Sequence, residues 1–409
     1  MTQVERGWGG GPGLRYEELA GLFRGVFAQL RAGAADRDRG RILPWAEVRL
    51  LKEAGFTGLR VPERLGGLGF SLPELFNLLI ELSEADPNLT NIFRSHLGLT
   101  EDLLNSSEKE HSEFWLNHFA QGGLAGSGFS EAGGRVVGDY ETRLVREGAH
   151  RRLNGRKFYT SGALFADWIN FGAVDENDAP VSGLVPTHAV GVTILDDWDG
   201  FGQALSASGT AIFENVLVEE SWVHPVRGRC RYIGAFFQLV HLAALAGIGR
   251  ALSDDVARLV AGRKRVYAQG NGPKAAEDPQ ILQVVGQLRA AAYSAGAIVL
   301  KAAEAIQRID DARLARNTQD EAQAGHIGAL EVDQAVPVVT SLVLDASTAA
   351  FDALGASAAS KSLGLDRHWR NARVIASHNP RIYRARSVGA FAVGRFLSQA
   401  DQDLSRSKA

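Results

Sequence analysis

Three short segments of the chain place imidazole, hydroxyl and guanidinium groups where a plain scaffold would gain little from them. They are residues 93–97 (F-R-S-H-L), 155–162 (G-R-K-F-Y-T-S-G) and 365–380, which ends in S-H-N-P. A neutral histidine can donate a hydrogen bond to negative charge that develops on an oxygen atom, and basic side chains can hold an anionic ligand. These segments are therefore the candidates for a catalytic or binding site.

The first two segments each have a purely structural alternative. His96, close to Arg94 in an otherwise apolar helical pattern, is either a catalytic histidine or a core histidine held by hydrogen bonds. Tyr159, Thr160 and Ser161 follow two basic residues and form either a ligand-binding edge or the polar face of a strand. The residues alone leave both questions open.

The third segment predicts a histidine beside the start of a helix. Asn379 followed by Pro380 is a typical N-cap with a proline in the first turn, which would place His378 at a helix N-terminus. The partial positive charge there disfavours the imidazolium ion and favours an anionic ligand. The arginines in residues 367–373 either belong to this site or form a solvated helix end paired with carboxylates.

Composition and missing motifs exclude several classes of function. The 409 residues include 44 Lys and Arg against 47 Asp and Glu without a long basic run, which argues against nucleic-acid binding. The single cysteine, Cys230, excludes an internal disulfide framework and a cysteine-based zinc site, and no other set of residues predicts a metal site. Neither glycine-rich phosphate-binding motif is present.

The periodicity of the chain predicts an α+β fold in three domains. Residues 1–120 are predicted to form a helical domain, 121–225 an antiparallel β domain and 226–409 a helical bundle. Asn154-Gly155 is predicted to be a hairpin turn, because both residues tolerate positive φ. The apolar run 233–249 is short for a membrane span and contains Gln238 and His241, so it is predicted to be a buried core helix. No signal peptide is evident, and a cytoplasmic location is expected.

Five motifs, in this order, resemble those of the acyl-CoA dehydrogenase superfamily. They are V-P-E-R-L-G-G at 61–67, S-G-F-S-E-A-G at 127–133, Y-T-S-G at 159–162, F-E-N-V at 213–216 and W-R-N-A-R at 369–373. Each pattern is weak by itself, and their shared order covers essentially the whole chain from about residue 16. The resemblance implies that family's arrangement: an N-terminal helical domain, a middle β domain and a C-terminal bundle.

The departures from this family are as informative as the matches. Acyl-CoA dehydrogenases need a carboxylate to remove the α-proton of the thioester, in one of two familiar places. Here neither 221–253 nor 371–389 contains an Asp or Glu, and Asn379 stands about where the C-terminal glutamate is expected. The R-x-x-F-G motif that holds FAD is replaced by R-K-R-V-Y at 263–267, which leaves basic groups for a phosphate.

With both departures, the chain resembles the two-component flavin monooxygenases of this superfamily, in particular the dibenzothiophene and dimethyl sulfone monooxygenases. These use reduced FMN delivered by a separate reductase and form a flavin hydroperoxide with O2. By this resemblance His96, Ser161 and His378 would be catalytic residues around the flavin, and Phe129, Tyr159 and Trp198 would line the pocket of a small apolar substrate. The resemblance further implies cofactor contacts from Phe129, Ser130, Tyr159, Thr160, Ser161, Arg263, Arg265, Arg370, Asn371 and Asn379. A homotetramer is also expected.

Two alternatives stay open. One is an FAD-dependent acyl-CoA dehydrogenase whose base lies elsewhere, with Glu101 or Asp102 as candidates. The other is a catalytically silent relative that acts as a binding module. We therefore expect a flavin-dependent oxidoreductase, with the reduced-FMN monooxygenase preferred.

Overall fold

The computed structural model describes residues 2–132, 139–148, 150–225 and 230–395. Five helices precede the strands: α1 (Leu14–Gly40), α2 (Trp45–Glu53), α3 (Leu72–Ala85), α4 (Pro87–Asn105) and α5 (Lys109–Ala120). The strands are β1 (Ala125–Gly128), β2 (Arg143–Glu147), β3 (His150–Phe158), β4 (Trp168–Val174), β5 (Pro180–Pro186), β6 (Val192–Ile194), β7 (Thr210–Val218) and β8 (Val223–Pro225). Five helices follow: α6 (Ile233–Ala261), α7 (Pro279–Leu314), α8 (Thr318–Ala349), α9 (Asp366–Ser377) and α10 (Ile382–Ala392).

The helices that carry the site begin at side-chain caps. Ser71 and Glu74 form the capping box that their spacing predicts at the start of α3. Asp86 accepts a hydrogen bond from the backbone N–H of Asn88, and Pro87 occupies the first turn of α4. These caps set the start of α4, the helix that carries Arg94 and His96.

The strands form one sheet in the order β6-β7-β3-β2-β4-β5-β8, with β1 paired to β4 outside this path. Most of its pairs are antiparallel, as the sequence predicts. The strand β1 runs parallel to β4, and β2 pairs in parallel with β4 at Arg143 and Val174. The sheet has a hydrophobic core of its own, which includes Leu153, Ile169 and Phe213.

The prediction of a hairpin turn at Asn154-Gly155 is wrong. Both residues lie inside β3, where the register of the pairing with β7 shifts between Leu153 and Gly155. A Cβ atom on Gly155 would fall 2.4 Å from the hydroxyl oxygen of Thr142, so glycine is needed there for a close approach between strands. The paired ends of β2 and β3 are Glu147 and His150.

The N-terminal and C-terminal helices share a second hydrophobic core. Buried residues of α1, α3, α4, α6, α7 and α8 form one continuous cluster. By length and composition alone, α6 and the segment 319–353 could each cross a membrane. Because 89% of the most apolar window of α6 is buried inside the protein, α6 is a core helix, as its polar interruptions predict. For the segment 319–353 the buried share is 44%.

A buried ionic network ties the two helical regions together. Arg60 forms ion pairs with Glu101 of α4, at 2.6 Å, and with Asp310 of α7. The hydroxyl group of Tyr232, just before α6, donates a hydrogen bond to Glu101 at 2.6 Å. Since each buried charge has a partner, this network joins α4 to the C-terminal bundle without leaving an isolated ion.

Candidate functional site

The helix α4 lies at the junction of the sheet and the C-terminal bundle, and it touches both. A Cβ atom on Gly162 would fall 2.3 Å from the carbonyl oxygen of Ile92, so the segment after β3 reaches the backbone of α4. A Cβ atom on Gly98 would fall 2.2 Å from the ring of Phe237, so α6 approaches the other end of the helix equally closely. Arg94 and His96 lie on α4 between these two contacts.

His96 is held by backbone groups on both of its ring nitrogens. The backbone N–H of Ala125 donates to Nδ1 at 3.3 Å, so the proton is on Nε2, which donates to the carbonyl oxygen of Thr57 at 2.8 Å. The residue is fully buried, and desolvation lowers the pKa of His96 to about 4. In this arrangement His96 fixes α4 against the start of the sheet, and its ring has no free nitrogen for a ligand.

The hydroxyl group of Ser161 ends a chain of three serines. Ser161 Oγ lies 2.6 Å from Ser208 Oγ, and Ser208 Oγ lies 2.7 Å from Ser206 Oγ. Ser206 Oγ donates to the carbonyl oxygen of Gln203 at 2.7 Å. Ser206 and Ser208 are buried and Ser161 is partly exposed, so the chain runs from the protein interior to the site.

The inner end of this chain decides the direction of every hydrogen bond in it. The Gln203 carbonyl can only accept, so the single hydroxyl proton of Ser206 is used there, and Ser206 must accept from Ser208. By the same argument Ser208 must accept from Ser161. The proton of Ser161 therefore points inward, and its oxygen offers lone pairs to whatever binds outside. This serine is an acceptor at the site.

Three non-glycine residues with positive φ lie around the serine chain. They are Tyr159 (φ 67°), Gln203 (φ 51°) and Ala207 (φ 47°). Asn371 stabilises the backbone at Gln203, because its Oδ1 accepts a hydrogen bond from the Gln203 backbone N–H at 2.6 Å. Such conformations are costly and persist where the surrounding structure enforces them, which is common at ligand sites.

His378 packs against a second histidine that the sequence marked only as an interruption of an apolar run. The ring centroids of His241 and His378 are 4.4 Å apart. Desolvation and the positive charge of Arg94 lower the pKa of both rings, to about 3 for His378 and well below the ordinary value for His241. His378 as a residue is exposed, while His241 is buried, so the pair reaches from the core to the surface. Both rings are neutral at pH 7.

The physical reason predicted for a neutral His378 is wrong. Asn379 does not cap a helix: α10 begins at Ile382 after Arg381, and His378 is itself the C-cap of α9. A helix C-terminus favours the imidazolium ion, so the helix dipole acts against the observed direction. Desolvation of the ring and the positive charge of the nearby Arg94 guanidinium lower the pKa of His378 instead.

Arg94 is the member of this group that sequence reasoning did not assign to the site. Its guanidinium carbon lies 4.5 Å from the centroid of the Phe237 ring, and its Nε donates to the carbonyl oxygen of Phe237 at 3.4 Å. The same signal in the sequence could have identified both Arg94 and His241. Each is a basic or imidazole side chain inside an otherwise apolar helical segment.

Two of the three predicted aromatic wall residues lie together. The rings of Tyr159 and Trp198 meet edge to face with centroids 6.0 Å apart, and Tyr159 is 49% exposed. Phe129 instead lies near Tyr140, with ring centroids 6.4 Å apart, and packs over Gly172. The structure therefore brings Tyr159 and Trp198 into one wall beside Ser161 and leaves Phe129 on the sheet.

The predicted cofactor residues fall into two groups. The first group makes structural contacts within the protein. Thr160 donates to the Gly209 carbonyl, and the Ser130 carbonyl accepts from the backbone N–H of Phe158. Arg263 donates to the Leu354 carbonyl, and Arg370 forms ion pairs with Asp38 and Asp366. Arg265 has no carboxylate partner among the residues that the structure describes, and Asn379 forms a hydrogen bond with His378. The predicted loop 127–133 ends at Gly133, which lies outside the described residues.

The two carboxylates considered as a base for the dehydrogenase alternative are engaged elsewhere. Glu101 is fully buried between Arg60 and Tyr232. Asp102 accepts a hydrogen bond from the backbone N–H of Cys230 at 3.0 Å. Neither carboxylate belongs to the group formed by Arg94, His241 and His378, so neither can abstract a proton there.

Comparison with known proteins gives consistent matches along the chain. The acyl-CoA dehydrogenase N-terminal domain model matches residues 17–123, and the acyl-CoA dehydrogenase C-terminal domain model matches residues 239–380, together more than half of the chain. A dibenzothiophene monooxygenase of Rhodococcus erythropolis is 28% identical, over 90% of this chain and 91% of its own. The probable FMNH2-dependent monooxygenase SfnC of Pseudomonas putida is 26% identical, over 92% and 94%. Among solved structures, the methanesulfinate monooxygenase MsuC of Pseudomonas fluorescens superposes with a TM-score of 0.84 and 26% identity, over 93% and 97% of the two chains.

Proposed function

Since the chain belongs to the acyl-CoA dehydrogenase superfamily, we propose that it acts as a flavin-dependent monooxygenase that uses reduced FMN and O2. The observation that carries this function is the composition of the site: neutral histidines, an arginine and a serine acceptor, with no carboxylate among the described residues that contact them. An acyl-CoA dehydrogenase needs a carboxylate base at this place, whereas activation of oxygen needs hydrogen-bond donors and a site without bulk water. The named relatives are monooxygenases as well.

The residues at the site fit a reduced flavin. The ring system of reduced FMN carries N–H donors, and the structure offers acceptors without a proton to give: the outward lone pairs of Ser161 and the buried Oδ1 of Asn91, which has no hydrogen-bond partner among the residues that the structure describes. Asn91 precedes Ile92, whose carbonyl oxygen contacts the segment of Ser161. Arg265 lies beyond the far end of α6 from Phe237 and His241, so it would hold a phosphate only at the site of a neighbouring subunit of the proposed tetramer.

When bound, reduced FMN supplies the two electrons with which O2 is activated. His378 keeps one ring proton at neutral pH and would donate a hydrogen bond through it to the reacting oxygen. Ser161 would accept an N–H hydrogen bond from the cofactor and so orient it. Tyr159 and Trp198 would exclude water from the outer side of the pocket. His96 would act as a positioning residue that holds α4.

Several finer features belong to the same proposal. Reduced FMN would come from a separate flavin reductase in the cytoplasm. A homotetramer is supported by exposed apolar surface in the C-terminal bundle: α10 has no buried residue, and Ile382 and Tyr383 on it are 69% and 54% exposed. Light scattering should then give four times the chain mass of 43.9 kDa. A single-chain mass would remove the tetramer from the proposal.

The function is tested by supplying reduced FMN and ¹⁸O2 to the purified protein together with candidate sulfur compounds. We expect oxygen uptake that depends on reduced FMN and one ¹⁸O atom per product molecule. In parallel, FAD-loaded protein is titrated with acyl-CoA thioesters without oxygen. Bleaching of the flavin by a thioester, with no ¹⁸O incorporation in any assay, would contradict the monooxygenase and support the acyl-CoA dehydrogenase alternative.

A further inference from the structure

Arg94 carries a positive charge that no carboxylate of the described chain neutralises. Arg24, Arg37 and Arg60, which are similarly shielded from water, each form an ion pair with at least one carboxylate. For Arg94 the contacts are the Phe237 ring and the Phe237 carbonyl, and burial alone lowers its pKa to about 10. An arginine shielded in this way without a counter-ion is costly unless something else brings the negative charge.

A second arginine shows what a compensated site looks like in this protein. Arg250 is 1% exposed and also has no ion pair among the described residues; burial lowers its pKa, but the negative charges of Glu84 and Glu81 act in the opposite direction. No carboxylate acts on Arg94 in that way. The missing negative charge is therefore particular to Arg94 and is not a general feature of the buried arginines.

The groups around Arg94 also offer hydrogen-bond donors to an anion. Neither Nη1 nor Nη2 of Arg94 has an acceptor within 3.5 Å among the described residues, and these two groups form a planar fork. The ring of His241 is neutral and brings one N–H group, while the single N–H of neutral His378 is the one placed at the reacting oxygen. The three side chains come from α4, α6 and the end of α9, so only the folded protein assembles them.

We propose that Arg94 and His241, beside His378, form a binding site for the anionic head of the substrate, a small organic oxyanion such as a sulfinate or a carboxylate. This inference rests on the proposed function, because His378 is the residue placed at the reacting oxygen. The arginine fork pairs with two oxygens of the head group, and the Tyr159–Trp198 wall contacts the apolar remainder. The substrate is then a small molecule with an anionic group at one end and an apolar group at the other.

The test measures equilibrium binding by calorimetry, with and without FMN, using benzenesulfinate, benzoate and the neutral methyl phenyl sulfone as probes. Arg94→Gln removes the charge, Arg94→Lys keeps it, and Arg49→Gln removes an exposed arginine of α2 as a matched control. We expect at least one anion to bind the wild type and to bind Arg94→Gln about tenfold more weakly or worse, since charged hydrogen bonds of this kind are strong. Arg94→Lys should recover part of the loss, and Arg49→Gln should match the wild type. The sulfinate and the carboxylate then rank the two possible head groups.

Three results would overturn the anion site. One is equal anion affinity in the wild type and Arg94→Gln, when circular dichroism shows both folded. Another is tighter binding of the neutral sulfone than of either anion. The last is a loss of affinity for FMN, but not for riboflavin, in Arg94→Gln, which would assign Arg94 to the cofactor phosphate. Oxygen uptake with reduced FMN is measured separately, so a failure of the monooxygenase proposal is recognised even when anions bind.

Discussion

At the scale of single residues, the two groups proposed for the chemistry have protonation states set by their surroundings. His378, whose ring packs on His241, is kept neutral by desolvation and by the charge of Arg94. Ser161 is made an acceptor by a carbonyl oxygen three hydrogen bonds away, at Gln203. Neither property belongs to the residue type, and each can be tested by changing a neighbour or the group itself.

Replacing His378 by alanine should remove oxygenated product while leaving FMN binding largely intact. The expected loss is on the order of a hundredfold or more in product formation, as for removal of a group that acts on a reacting oxygen. Product is measured by mass spectrometry, and FMN binding by fluorescence quenching. His188→Ala, at an exposed histidine, is the control. Full product formation in His378→Ala would remove His378 from the mechanism.

Replacing Ser208 by alanine should lower the preference of the protein for reduced over oxidised FMN. Without Ser208 the Ser161 proton is free to turn outward, so the Ser161 oxygen is no longer held as an acceptor for the N–H of reduced FMN. One hydrogen bond of this kind contributes about 0.5–1.5 kcal/mol, so the ratio of the two dissociation constants should change by a factor of about 2–10. The measurement is anaerobic titration with both forms of FMN.

A matched control for Ser208→Ala is Ser112→Ala. The Ser112 hydroxyl group is buried and has no hydrogen-bond partner in the described part of the chain, so its removal tests the loss of a buried serine alone. An unchanged ratio of the dissociation constants in Ser208→Ala would mean that Ser161 does not contact the cofactor as an acceptor.

At the scale of elements, α4 is the part on which the site depends, because the sheet and the bundle both meet it. Ile92 contacts the segment after β3, and Gly98 contacts α6. His96 and Glu101 anchor the helix to its neighbours through a hydrogen bond and an ion pair. Moving the Ser161 segment away from α4 should therefore disturb the site and also cost stability, because Ala163 and Phe165 of this segment belong to the two hydrophobic cores.

The variant Gly162→Ala makes this change. Gly162 has φ 77°, and an added Cβ atom would lie 2.3 Å from the Ile92 carbonyl oxygen, so both backbone strain and a clash oppose alanine. We expect unfolding to become easier by about 2 kcal/mol or more, together with weaker FMN binding. Urea denaturation measures the first and fluorescence quenching the second. Gly25→Ala in α1, where a Cβ atom meets nothing within 4 Å, should instead stabilise by up to about 1 kcal/mol.

At the scale of the whole molecule, buried neutral histidines should make the protein sensitive to mild acid. The pKa of His96 is lowered to about 4 and that of His241 lies well below the ordinary value, while both titrate near 6.5 in the unfolded chain. Between these values the unfolded state binds more protons, so the free energy of unfolding falls as the pH drops from about 6.5 toward 4. Each histidine contributes up to about 1.4 kcal/mol per pH unit in this range.

Urea denaturation at pH 7.5 and pH 5.0 measures this effect. His96→Gln keeps an acceptor and a donor for Ala125 and Thr57 without a titrating group, so its stability should fall less between the two pH values than that of the wild type. His188→Gln, at an exposed histidine, should follow the wild type. An equal fall in His96→Gln would mean that His96 is not the neutral, buried group that the structure shows.

The family and the α+β order of the fold could be predicted from the sequence, because they depend on local patterns and on motifs that are contiguous in the chain. The capping box of α3 and the buried helix α6 are confirmed for the same reason. The Asn154-Gly155 turn is wrong, because both residues are paired inside β3, where Gly155 lies close to Thr142. The Asn379 cap is wrong, because α10 begins only after Arg381. The division into domains at 120/121 and 225/226 stays a prediction.

The sequence by itself determined that the two familiar carboxylates of the family are missing and that flavin chemistry of another kind has to be considered. Only the tertiary structure decided which polar side chains meet. Arg94, His241 and His378 are up to 284 residues apart along the chain, and their contact depends on the packing of α4, α6 and α9. The inward proton of Ser161 is likewise a property of a hydrogen-bonded chain across two loops, which no local pattern encodes.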